Sequence, residues 1–500
     1  MRLPDSSDVQ GLAAFGYGKM TEACFLLLRV RNPEAARTWI ASAPVTTAEY
    51  RQTPPPTALQ IAFTPAGLLA LGIPERIVAG FAVEFVEGMA GNPNRSRRLG
   101  DIGWNDPTGW IWGSGNNAVH LVVMLYAERD LNQWQRTIQT APWDEAFEVA
   151  LPLDTSNMEG REPFGFIDGV SQPEYDWKRE QPAASDTITY TNELALGELL
   201  LGYPNEYGKY TDRPLLETAD DPGDQLFPAE DHTAKKDLGL NGTYFVLRQL
   251  EQDVRSFWQY IARNAGPNPQ DRYHLGALMV GRKIDGDPLI PNTGQKIPGV
   301  TEKPGAPRNE FTYDNDVMGT QCPFGAHIRR ANPRNTDMYR NPSNPLAMGL
   351  RILGLPRPQF REDLLASTRF HRILRRGREY GKKLSPEDAL QPPPADEAPR
   401  GLHFGCVGAS IARQFEFVQN AWLNSTTFNG LIDESDPLLG NRAPVGDRPS
   451  TGYFSIPRDG KAARRLNGMP QFITVRGGGY FFMPSLRALR YIARAGTNPA

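Results

Sequence analysis

Residues 24–33 read Cys-Phe-Leu-Leu-Leu-Arg-Val-Arg-Asn-Pro. Cys24 to Val30 is an apolar run of strand length. Asn32-Pro33 is a helix start, because Asn caps the first turn and Pro fits the first helical position, where no amide hydrogen is needed. That helix is expected to run to about Ala41. Further along, Ala58 to Phe63 (ALQIAF) is a second strand candidate, and Thr64-Pro65 opens a short helix with Leu68, Leu69 and Leu71. An irregular stretch rich in Gly, Asn and Trp follows. Then Ala118 to Tyr126 reads as a strand, Leu131 to Thr140 as a helix and Glu145 to Leu151 as a closing strand. Strand, helix, strand, interruption, strand, helix, strand is the split βαβ order of a ferredoxin-like unit.

The second half carries traces of the same order. Thr243 to Leu247 (TYFVL) is strand-like, and Val254, Phe257, Trp258 and Ile261 form a helical stripe within Glu251 to Arg263. Leu402 to Val407 is another strand. Ile411, Phe415, Val418 and Trp422 form a second helical stripe, and Gln471 to Val475 (QFITV) closes the set. Gly266 to Arg400 does not parse into the sheet, and irregular segments of that length inside a compact domain tend to serve function. The Pro-rich polar stretch from Asn205 to Gly239 reads as a surface excursion. The expected class is therefore α+β: two ferredoxin-like halves with antiparallel sheets. Residues 1–160 form the N-terminal domain, and residues 161–500 form the C-terminal domain with long insertions.

Bulk properties narrow the function. Hydrophobic residues make up 40% and charged residues 22% of the 500, as in globular proteins. A net charge of -3 gives no reason to expect nucleic acid or an anionic membrane as partner. The longest apolar run, Ala118 to Ala127, is shorter than the roughly 20 residues a membrane span needs. The N-terminal residues show no charged stretch followed by an apolar one, and Cys24, Cys322 and Cys406 are widely spaced. Both features fit a cytoplasmic protein without a disulfide framework.

Four segments could carry chemistry. Gln321 to Arg334 (QCPFGAHIRRANPR) places His327 beside Arg329, Arg330 and Arg334, with Arg308 upstream. The six histidines form no HExxH or Cys/His cluster, so a zinc or di-iron site would need ligands gathered from far apart, whereas haem needs a single histidine. Arginines nearby would match the two propionates of a haem. The alternative is a histidine packed under a Pro-rich loop. Glu159 to Pro173 (EGREPFGFIDGVSQP) contains Asp168-Gly169, which reads either as a capped turn or as a carboxylate carried into a buried site by Phe164, Phe166 and Ile167. Burial would raise the pKa of such a carboxyl and let it exchange protons near neutral pH. His371 to Gly381 (HRILRRGREYG) is strongly basic, and Arg375 stands out because it follows the apolar pair Ile373-Leu374. Gln471 to Ser485 (QFITVRGGGYFFMPS) has three glycines ahead of Tyr480, Phe481 and Phe482. No Lys-Ser/Thr follows, so a P-loop is excluded; the glycines suit close approach to a flat ligand or to a neighbouring element.

In this order the segments resemble the dye-decolourising peroxidase family over nearly the whole chain, most closely its larger bacterial intracellular members. Gly165-Phe166-Ile167-Asp168-Gly169 is similar to the family's GxxDG motif, GAHIRRANPR holds its proximal histidine, and Arg375 to Gly381 resembles its distal arginine segment. The resemblance implies one haem b per chain in the C-terminal half, with His327 as the axial iron ligand. It places Gly165, Phe166, Ile167 and Gly169, together with Arg330, Arg334 and Phe482, around the cofactor. It gives Asp168 the role of moving a proton from the inner to the leaving oxygen of hydrogen peroxide, and Arg375 that of stabilising the developing charge, with Arg376 as the alternative. Dyes, phenols or other organic reductants would then be oxidised in one-electron steps. Glu416 is the candidate to hold the far nitrogen of the axial imidazole, and the protein would be a monomer or homodimer. A haem-binding or haem-handling protein with little turnover is the competing reading, and a haem-free pair of ferredoxin-like halves is a third.

Overall fold

The computed structural model describes residues 2–180, 191–291, 308–335, 367–443 and 452–496. In the first half, β1 (Glu22–Val30), β2 (Thr57–Phe63), β3 (Leu121–Ala127) and β4 (Phe147–Asp154) are connected by helices α1 (Pro33–Ser42) and α2 (Leu131–Ile138). Asn32 caps α1 as expected, its side chain accepting from the amides of Glu34 and Ala35. In the second half, β5 (Thr243–Gln252) leads into α3 (Val254–Asn264) and α4 (Pro269–Val280), and α5 (His327–Ala331) is a short helix. The remaining strands are β6 (Leu374–Arg375), β7 (Arg378–Tyr380), β8 (Gly401–Gly408) and β9 (Ile473–Met483).

All these strands join one antiparallel sheet in the order β6–β8–β5–β9–β2–β3–β1–β4, with β7 also on β8. Each half shows the ferredoxin-like order, its second, third, first and fourth strands side by side. The halves meet where β9 pairs with β2, Phe482 opposite Phe63.

The apolar run in β1 has a physical cause. Cys24, Leu26 and Leu28 pack into one core, while Ala23, Phe25 and Leu27 pack into another on the opposite face. A strand covered on both sides loses the alternation of a half-exposed one. The missing second strand of the second half is β6 with β7. It lies inside the segment that resisted parsing, and two short pieces split by Arg376-Gly377 are too brief to show a period. β9 runs past its expected end at Val475 and through all three glycines. Gly477 bridges to Trp112, whose indole occupies the space a Cβ would need. The glycines thus admit a neighbouring element. The 205–239 stretch is also more than a surface excursion: Leu215–Leu216 pairs with Lys236–Asp237, and Arg213 forms a buried ion pair with Asp237 at 2.7 Å.

Candidate functional site

The main cavity opens beneath the second half of the sheet. Its volume is about 550 Å3, within the range of small-molecule and cofactor sites. Sheet residues Leu250, Leu402, Phe404, Ile473 and Val475 supply an apolar wall, and Phe415, Val418 and Leu423 supply another from the π-helical segments Ile411–Glu416 and Val418–Asn424. Asp168, His327 and Arg375 line the same cavity although they lie far apart in the chain.

His327 begins α5. Its Nδ1 lies 2.9 Å from Oδ2 of Asp436, a fully buried carboxylate, which leaves Nε2 as the ring nitrogen available to the cavity. Asp436 is fixed in turn, because its Oδ1 accepts from the amides of Leu438 and Leu439 at 2.9 and 2.8 Å. Burial pushes the His327 imidazole down, but the charge and hydrogen bond of Asp436 outweigh this and leave it above its ordinary value. Burial pushes Asp436 up, and His327 with Arg330 outweighs that, holding it below the usual carboxylate range. Among the described residues no three of His, Cys, Asp and Glu converge to hold a bare metal ion. A single imidazole braced by a carboxylate on an apolar cavity suits an axial haem ligand.

Asp168 sits in a turn tied down by its own amide, which donates to Gly160 O at 3.0 Å. Gly169 follows at φ +75, a conformation that only glycine adopts without strain. The Asp168 Oδ1 accepts from the Gly169 amide at 2.6 Å and from Arg375 Nη1 at 2.5 Å. Desolvation raises this carboxyl, yet Arg375, the Gly169 amide and His327 together bring it below its ordinary value. The direction is the reverse of that expected from burial alone, and the cause is the paired guanidinium. Arg375 is carried by the edge strand β6. Gln172 extends that edge, accepting from Arg375 N at 3.1 Å.

The remaining expected residues divide. Phe166, Ile167 and Gly169 line the cavity, whereas Gly165 is not among its lining residues. Arg376 reaches the cavity wall but directs its Nε to Leu12 O at 2.7 Å, so the arginine beside Asp168 is Arg375. Arg330 and Arg334 do not line the cavity. Arg330 donates to the carbonyls of Trp422, Ser425 and Glu434, which ties the loop carrying Asp436 to α5. Arg334 donates to the carbonyls of Asn309 and Phe311. Phe482 is fully buried against Phe81 and Tyr244, away from the cavity. Glu416 does not reach His327. It pairs with Arg95 at 2.8 Å and accepts from the Tyr480 hydroxyl at 2.9 Å, and Asp436 occupies the position expected for it.

Three groups escaped the sequence reading, one behind His327 and two on the cavity. Asp436 precedes Pro437 and reads locally as a turn residue. Glu162, whose carboxylate accepts from the amides of Phe164 and Phe166 at 3.0 Å each, is pushed up to about 7 by burial. Arg282 follows the end of α4 and faces the cavity. No local pattern marks any of them.

No family model matches the chain. Among curated proteins it is 32% identical over 358 residues to the multifunctional dye peroxidase DyP2 of Amycolatopsis sp., a match spanning 69% of this chain and 63% of that enzyme. It is 27% identical over 514 residues to peroxidase 2 of Mycetinis scorodonius, spanning 97% of this chain and 86% of the relative. Among solved structures, a fungal DyP-type peroxidase from Auricularia auricula-judae superposes with a TM-score of 0.72 at 23% identity, covering 99% of this chain and 100% of the other. The Anabaena sp. DyP-type enzyme gives 0.68 at 25% identity, covering 97% and 94%. The relatives are bacterial and fungal alike. No helix among the described residues is long and apolar enough to cross a membrane. With the ferredoxin-like order in both halves, the shared fold over almost the whole length and these sequence likenesses, the chain is similar to the dye-decolourising peroxidases.

Proposed function

We propose that the protein is a haem peroxidase that uses hydrogen peroxide to oxidise dyes, phenols or other organic reductants, with one haem b per chain held by His327. The observation that carries this reading is the pairing of Asp168 with Arg375 on the same apolar cavity as His327 and its Asp436 brace. When bound, haem supplies the redox chemistry that divides peroxide and draws single electrons from a reductant.

The chain's own residues prepare that chemistry. Asp436 accepts the Nδ1 hydrogen of His327, fixing the tautomer that presents Nε2 to the cavity and making the imidazole a stronger donor. Asp168, held ionised by Arg375, accepts a proton from peroxide at its carboxylate and returns it to the departing oxygen. Arg375 Nη1 and Nη2 are fixed by Asp168 and by Ser171 O, so the guanidinium needs no reorganisation as negative charge develops beside it.

The test is Asp168→Asn, which keeps size and removes the base. The Soret band should persist while the second-order rate with hydrogen peroxide falls by roughly 10²- to 10⁴-fold. An unchanged rate sinks the proposed role, and little turnover in the unaltered protein favours haem handling.

A further inference from the structure

Of the arginines adjoining His327 in sequence, Arg330 and Arg334 donate to backbone carbonyls and Arg329 pairs with the buried Asp316, and none of the three lines the cavity. Arg282 is 2% exposed and lines the cavity. Its Nη1 donates to Gly286 O and Arg308 O, both at 2.9 Å. Its Nη2 is buried and has no hydrogen-bond partner, and no carboxylate pairs with it among the described residues. Other arginines on the cavity are better satisfied: Arg375 is paired with Asp168 and Arg248 with Asp101, while Arg376 donates to the carbonyls of Leu12 and Arg375 and Arg372 donates to Asn192 Oδ1. A buried guanidinium with an unmet donor and no counter-charge is costly unless an anion arrives to meet it.

Its position narrows the anion. Gly281 and Gly286 flank the turn that carries Arg282. A Cβ on Gly281 would meet Ile328 Cβ at 3.1 Å, and one on Gly286 would meet Ile167 Cβ at 3.2 Å. Ile328 follows His327 and Ile167 precedes Asp168. The turn therefore packs against the segment that carries His327 and the segment that carries Asp168, and Arg282 lines the same cavity as both. Phe311 lies under the guanidinium, 5.5 Å from it to the ring centre, and stiffens it. Burial, with the nearby charge of Arg334, pushes this group down to about 10, so it stays protonated at neutral pH.

We propose that Arg282 is a carboxylate-binding residue at the edge of the cavity, its Nη2 receiving a carboxylate of whatever occupies the space between His327 and Asp168. Two sources share that chemistry: a propionate of haem, which rests on the haem reading above, and a small free carboxylate entering beside it. A guanidinium with one free donor and a fixed stem matches a carboxylate oxygen better than a neutral acceptor.

Haem release from the holoprotein into excess apomyoglobin, compared for the unaltered protein, Arg282→Gln and Arg282→Lys, separates the possibilities. If the partner is a propionate, Arg282→Gln releases haem roughly 10- to 100-fold faster, the range of a charge-assisted hydrogen bond, and Arg282→Lys falls between. Reconstitution with haem dimethyl ester then abolishes the difference between the unaltered protein and Arg282→Gln. If the partner is a free carboxylate, release is unchanged, but formate, titrated by calorimetry, binds at least tenfold more weakly to Arg282→Gln. A release difference that survives esterification means the turn has been damaged, and it overturns the proposal. So does the absence of any effect on release or on formate binding. Failure of the unaltered protein to take up haem would sink the haem reading alone, because the formate titration still tests Arg282 in the haem-free chain.

Discussion

Replacing Asp436 by Asn isolates the contribution of one buried charge. The Asp436 Oδ2 lies 2.9 Å from His327 Nδ1, and the carboxylate is fully buried. At that separation two full unit charges would attract by about 6 kcal/mol with an effective dielectric constant of 20, an upper bound for the carboxylate and the neutral imidazole N–H. Desolvation takes back much of it, so a net of about 1.5–3 kcal/mol is expected for such a hydrogen bond. Asn keeps the shape; with its oxygen held by the Leu438 and Leu439 amides, its NH2 takes the place of the oxygen that accepts from His327, so both the charge and the acceptor are lost. The lost electron donation through the imidazole disfavours the oxidised iron over the reduced one. A tenfold change is about 59 mV for one electron, so the haem potential should rise by about 60–120 mV. Spectroelectrochemical titration of the holoprotein reads this directly, with Glu416→Gln as the control. Glu416 is bound to Arg95 and Tyr480, so its neutralisation should lower stability and leave the potential unmoved. A shift in Glu416→Gln, with none in Asp436→Asn, would refute the assignment of Asp436 as the brace of His327.

Other outcomes follow from the same geometry. Arg375→Leu should reduce the peroxide rate by about 10²- to 10³-fold with the Soret band retained; it also removes the cation that depresses Asp168, so the acid limb of the rate profile should move to higher pH. Arg376→Leu should leave that rate within a few-fold and instead lower the urea midpoint by weakening the tie to Leu12 O; equal losses of rate in both variants would overturn the choice of Arg375. Glu162 is raised from 4.5 to about 7, so between those values the folded chain holds a proton that the unfolded chain releases. Stability of the haem-free protein should therefore fall as pH rises through that window, by up to about 3 kcal/mol, and the slope should flatten in Glu162→Gln when urea unfolding is measured at both ends. Gly477→Ala places a methyl group where the Trp112 indole lies. The overpacking should cost about 1–3 kcal/mol in denaturant unfolding, and an unchanged midpoint would show that the sheet relaxes around it.

The strands of the first half were legible because their apolar runs are long and their helix starts carry Asn and Pro in place. The second half was legible at β5, β8 and β9 for the same reason, and illegible at β6 and β7, whose pairing to β8 depends on tertiary contact rather than on any period of their own. The site shows a similar division. His327, Asp168 and Arg375 lie in segments whose composition is unusual enough to find. Asp436 lies 109 residues from its partner, in a stretch that looks like a turn.

The arginines are the instructive case. Arg330 and Arg334 looked like anion partners because they cluster beside a histidine. Yet the loops around α5 are irregular and buried, so their carbonyls lack the partners that helices and sheets would supply. Arg330 and Arg334 answer that need: their guanidiniums reach the carbonyls of Trp422, Ser425, Glu434, Asn309 and Phe311. A guanidinium offers five donors, and irregular backbone is the first claimant on them. A count of arginines near a histidine thus overstates the charge available to a ligand. The donors that matter are those left after the backbone is satisfied, and in this cavity that reasoning points to Arg282 Nη2, on a turn that no motif marks.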